Sequence, residues 1–75
     1  MKLGSVSGGE VIKKLSRFGF KIVRQKGSHV RLEKQIGEKD TIKITIPLHP
    51  SLKKGTLNRI IKDAGLTSEE FEQMR

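Results

Sequence analysis

Cysteine, tryptophan and tyrosine are absent from this 75-residue chain. Without cysteine, neither a disulfide nor a thiolate zinc site can form, so the fold must hold by packing alone. Phenylalanine occurs three times, each time in an apolar pattern expected to be core. So few aromatic rings argue against single-strand binding by base stacking. No apolar run approaches the length of a membrane span, and the N-terminus lacks the apolar centre of a signal peptide. A cytoplasmic protein with no membrane contact is the expectation. At this length a single domain, 1–75, is expected, with too little interior for a deep enclosed cavity. Any substrate must then bind a face or a groove.

Acidic residues are also scarce, eight against sixteen Lys and Arg, for a net charge of +8. The imbalance is uneven. Asp63, Glu69, Glu70 and Glu72 against Arg75 give residues 63–75 a local −3, so residues 1–62 carry +11. A body this basic attracts phosphate backbones through counterion release, and the same field speeds encounter. An acidic protein partner is the competing explanation.

Ser7 and Glu10 have the spacing of a capping box, and Val11, Ile12, Leu15 and Phe18 follow as one helical stripe. Gly19 is a suitable left-handed stop, and Met1 to Val6 ahead of the helix is expected to be loosely held. Lys13, Lys14, Arg17 and Lys62 read as solvated helix faces. Residues 20–24, 29–33 and 41–46 have strand composition, with Lys26-Gly27-Ser28 as a turn and 35–40 as a polar loop. Alternation puts Val30 and Leu32 on one face and His29, Arg31 and Glu33 on the other. In the third strand the three isoleucines share a face, with Thr41, Lys43 and Thr45 opposite. Pro47 ends the ladder, and Leu48-His49-Pro50-Ser51 is a constrained crossing. Leu57, Ile60, Ile61 and Ala64 mark a second helix, stopped at Gly65. Lys53, Lys54 and Gly55 lie near its start, where free N–H groups and the dipole favour an anion. Thr67 and Glu70 repeat the capping-box spacing, with Leu66 and Phe71 as a hydrophobic staple for a short acidic helix over 67–75.

Two single-stripe helices flanking three strands predict an α+β two-layer sandwich, α-β-β-β-α, with both helices on one face of an antiparallel sheet. The other face stays polar and wet. On it, Arg24-Gln25-Lys26-Gly27-Ser28-His29 places a titratable imidazole directly after a basic, glycine-containing turn. Imidazole exchanges protons near neutral pH, which few side chains do unassisted.

The chain resembles the HicA-type messenger-RNA interferases, the toxin half of a toxin–antitoxin pair. The residues that carry the likeness are Glu10-Val11-Ile12-Lys13-Lys14-Leu15, Gly19-Phe20, Arg24 to His29, Ile46-Pro47-Leu48-His49, Gly55-Thr56-Leu57 and Ile60 to Leu66. They run in family order across residues 7–66. The resemblance implies a double-stranded-RNA-binding-domain-like fold, sequence-relaxed cleavage of messenger RNA that arrests translation, and neutralisation by a HicB-type antitoxin. It maps the family's catalytic histidine onto His29 and its proline–histidine element onto Pro47 and His49. Leu48 between those two, and the acidic tail after Leu66, depart from the family pattern.

The expected reaction uses no metal and no cofactor, and it needs little from the protein, because RNA carries its own nucleophile, the 2′-OH. A base takes the 2′-OH proton, the oxygen attacks the adjacent phosphate, and an acid protonates the departing 5′ oxygen. His29 takes one of these roles. His49 is either the second proton carrier or an imidazole satisfied by backbone at a helix mouth. Arg24, Lys26, Arg31 and Lys43, with the amides of Gly27 and Ser28, are the candidates for steadying the phosphorane, and Lys53 and Lys54 for holding a further phosphate. Two histidines without cysteine fall short of the usual zinc ligand set. DNA contact is not expected from this chain alone. The alternatives are a non-catalytic RNA-binding module of the same fold, and an interaction protein whose basic face receives an acidic partner.

Overall fold

A computed structural model describes residues 6–73. The elements run α1 (Gly8–Arg17), β1 (Lys21–Lys26), β2 (His29–Ile36), β3 (Asp40–Pro47), α2 (Lys54–Asp63) and α3 (Ser68–Gln73). The strands form one antiparallel sheet in the order β1-β2-β3. This is the α-β-β-β-α arrangement of the double-stranded-RNA-binding-domain-like fold, with an extra C-terminal helix. Among the described residues no helix is long and apolar enough to cross a membrane.

The helices begin and end where their local chemistry dictates. Ser7 accepts from the Glu10 amide while the Glu10 carboxylate takes the Ser7 amide, closing the capping box of α1. Thr67 and Glu70 make the same reciprocal pair ahead of α3. Gly19 and Gly65, at φ +97° and +76°, supply the left-handed turns that stop α1 and α2. Val11 and Leu15 of α1, and Leu57, Ile60 and Ile61 of α2, are buried against Val30, Leu32, Ile44 and Ile46 of the sheet. Phe71 of α3 is fully buried, as the staple with Leu66 requires.

Several expectations need correction. Val6 is not loose: its side chain is 8% exposed in the core, and its carbonyl accepts from the Leu52 amide. Met1 to Ser5 lie outside the described residues. Lys14 is not simply solvated, since its ammonium stands 4.6 Å from the Phe71 ring centroid and donates to the Phe71 carbonyl. Half of the polar stretch 35–40 is ladder. Pairing continues to Ile36 opposite Asp40, leaving 37–39 as the turn, with Gly37 at φ +71°. A two-stranded ladder needs only backbone partners, so its ends carry no hydrophobic signal. The buried residues of the sheet lie on β2 and β3, and every residue of β1 is exposed, Ile22 by 59%.

Candidate active site on the open sheet face

The chain path sets one end of the sheet apart. The helices α1 and α2 run away from it, while β1 and β3 return to it. Gly27-Ser28 is a two-residue hairpin turn, with Lys26 paired to His29. Gly27 has φ +58° and Ser28 a negative φ, the arrangement of a type II′ turn. The Ser28 carbonyl accepts from the Leu48 amide at 2.7 Å, tying the hairpin to the exit of β3. Gly8, the first residue of α1, packs so closely on Pro47 that a Cβ there would overlap the Pro47 carbonyl. Its amide donates to the His49 carbonyl at 2.9 Å.

His29 stands at the start of β2, exposed and on the face away from the helices, as alternation predicts. In an antiparallel pair directly opposed residues share a face. Lys26, His29 and Pro47 thus form one row across the sheet, and Arg24, Arg31 and Thr45 form the next. A shallow cavity of about 190 Å³ is lined by Arg24, Lys26, His29, Arg31 and Thr45. Three cations and an imidazole meet there with no carboxylate among the lining residues. Arg24 directly faces Arg31, and like charges so placed destabilise a sheet. Packing gives no return for this pair; a bound anion would relieve it.

The bulge in β1 puts Arg24 there. Between Ile22 and Arg24 the register shifts, so that Val23 is an extra residue with no partner of its own. Strict alternation from Lys21 would send Arg24 and Lys26 to the covered face. The extra residue changes phase and returns both to His29. In the sequence this break shows only as two apolar residues in succession between cations.

The other predicted site residues fall outside this cavity. Lys43 is on the same face but pairs with Glu33, one row beyond Thr45. Gly27 and Ser28 form the turn beside His29 and do not line the cavity. His49 is exposed in the loop after β3 and engages α1 through its carbonyl; its ring is not among the lining groups. Lys53 is the N-cap of α2 and Lys54 its first residue, both exposed, with no side-chain cap and no acid in the first turn. They lie at the same end of the sheet as His29, because Leu52 is bonded to Val6 just before the docked start of α1. Thr45 is the lining residue not singled out as functional from sequence, although alternation along β3 already placed it on this face. Among the described residues no three His, Asp or Glu side chains converge as metal ligands do.

The family model described as HicA toxin of bacterial toxin-antitoxin matches residues 8–66. No curated protein matches the chain.

Proposed function

The chain belongs to the HicA toxin family, and on that premise we propose that it is an endoribonuclease toxin that cleaves messenger RNA with His29 as acid or base and without metal. The observation that carries this reading is the exposed imidazole opposite Lys26, next to an Arg24–Arg31 pair in a cavity whose lining holds no carboxylate. A phosphodiester in this cavity would set its oxygens among three cations and its ribose within reach of His29. There the imidazole takes the 2′-OH proton or protonates the 5′ oxygen. Arg24 and Arg31 hold the non-bridging oxygens as negative charge builds on phosphorus, the kind of fixed electrostatic stabilisation that dominates many enzymes. Arginine suits the task, since its planar fork matches two phosphate oxygens at once.

Lys26, Lys43, Lys53 and Lys54, with the turn at Gly27 and Ser28, extend the positive field along the flanking RNA. His49 enters the reaction only if the Leu48–Pro50 loop brings its ring to the cavity. A HicB-type antitoxin neutralises the protein by covering the His29 face with neutral or anionic groups.

Incubating the purified protein with RNA in EDTA tests the reading. Fragments ending in a 2′,3′-cyclic phosphate are expected. Intact RNA with a salt-sensitive mobility shift would instead make this a non-catalytic RNA-binding module. No RNA affinity at low salt, with tight binding to an acidic protein, would make it an interaction domain.

A further inference from the structure

The open face carries a second hollow, larger than the first and chemically unlike it. It measures about 340 Å³ and is lined by Gly19, Lys21, Val23, Glu33, Gln35 and Thr41. Along β2 the two hollows use successive outward positions, His29 and Arg31 for one, Glu33 and Gln35 for the other. Four residues of strand separate their midpoints, about 14 Å at the rise of an antiparallel strand. That is a span of a few nucleotides on one continuous surface.

The chemistry changes sharply over that span. The first hollow has three cations and no acid. In the second, Lys21 faces Glu33 directly, so the charges balance, and the remaining lining is an amide, a hydroxyl, an apolar branch and a glycine. Such a lining does not select phosphate. It suits a flat, neutral, amphipathic group with hydrogen-bonding edges. Val23 is 51% exposed here, an apolar surface on the open face. Gln35 donates its amide nitrogen toward the Gly37 and Glu38 carbonyls, which leaves its oxygen as the group to accept. The Glu33 carboxylate also accepts. Acceptors of this kind pair with the exocyclic amines of adenine, cytosine and guanine, which uracil lacks.

We infer that this second hollow is a nucleobase subsite, holding a base of the bound RNA a few nucleotides from the scissile phosphate and favouring bases with an exocyclic amine. The inference rests on the nuclease reading for its RNA ligand, but it concerns selectivity rather than bond breaking. Val23 covers one face of the base, and Glu33, Gln35 and Thr41 read its edge. The volume fits this use, since ligand-sized sites begin at roughly 300 Å³.

Two measurements on the full chain test it. In the first, the amide NMR spectrum of the His29→Ala protein is followed as short RNAs differing at one base are added. Shifts at Val23, Gln35 and Thr41 that depend on that base are expected, with affinity about fivefold weaker for uracil. In the second, cleavage of a randomised RNA pool is sequenced for the parent protein, Glu33→Ala and Gln35→Ala, with folding checked by circular dichroism. Both variants should flatten the preference at one position near the cut. Unchanged preference, with shifts confined to Arg24, Arg31 and Thr45, overturns the subsite while leaving the nuclease intact. Base-dependent shifts in a protein that never cleaves RNA retain the subsite and remove the nuclease. Shifts here with an acidic protein and none with RNA overturn both.

Discussion

The two faces of β2 share a backbone and almost nothing else. Val30 and Leu32, 2% and 0% exposed, meet α1, α2 and the β3 isoleucines, while His29 and Arg31, interleaved with them, stand in solvent beside Arg24 and Lys26. Residues on the covered face stabilise the fold by removing apolar surface from water. On the open face Arg24 and Arg31 do the opposite, since they form a repulsive pair. Period-two alternation lets one strand carry both kinds of residue. On the nuclease reading, stability and rate should then be separable residue by residue, and substitutions on adjacent positions should break one and spare the other.

His29→Ala should have the largest effect on the open face. Loss of a positioned acid or base lowers the rate roughly 10²–10⁴-fold, while the melting temperature stays nearly constant, because an exposed substitution changes stability by about 0.5 kcal/mol or less. RNA cleavage assays beside a thermal melt check both halves. An undiminished rate would remove His29 from the chemistry. Leu32→Ala is the counterpart on the covered face. Truncating a buried leucine costs about 2–5 kcal/mol, against a total of roughly 4–11 kcal/mol for a domain this size. Denaturant titration should show that loss, and the fraction still folded should cleave RNA at the parent rate. A slower folded fraction would mean that the two faces are coupled through the strand.

How far these features were legible in the sequence follows the same division. Where burial is periodic, as in the stripes Val11–Leu15 and Leu57–Ile60–Ile61 or the isoleucines of β3, residue order alone located the element and its inner face. Both capping boxes were legible because their chemistry is local, within four residues. The ends of β2 and β3 were not, since Gln35, Ile36 and Asp40 pair through backbone groups that every residue has. Nor was the bulge at Val23, which depends on where β2 lies, not on β1 itself. The same holds for Lys14 on the Phe71 ring, 57 residues away in sequence. Within the site, the position of His29 was legible and so were its cationic neighbours. Which cations reach the cavity was decided by register, which excluded Lys43 and kept Arg24.

The start of α1 packs on Pro47, the strand residue opposite His29, and two neighbouring residues test the independence of the two faces. Gly8→Ala would drive a methyl into the Pro47 carbonyl. Pro47 pairs with His29, so relief of that overlap must move either α1 or the edge of the site. A stability loss of about 1–3 kcal/mol, typical of overpacking, should come with slower cleavage by the folded protein. Slower cleavage in the folded fraction is the readout that a purely structural role would leave unmoved.

Ser7→Ala, one residue earlier, is the smallest change and the control. Its hydroxyl serves only the first turn of α1, accepting from the Glu10 amide and bonding the Glu10 carboxylate. Removing it leaves the Glu10 amide to water and costs about 1 kcal/mol, as N-caps generally do. That corresponds to roughly 4–8 °C in melting temperature at this chain length. The contact of Gly8 with His49 runs through backbone atoms alone and persists, so cleavage should be unchanged. If Ser7→Ala slowed cleavage as much as Gly8→Ala did, general loosening of α1 would explain both variants. The pressure of Gly8 on Pro47 would then have no special place in holding His29.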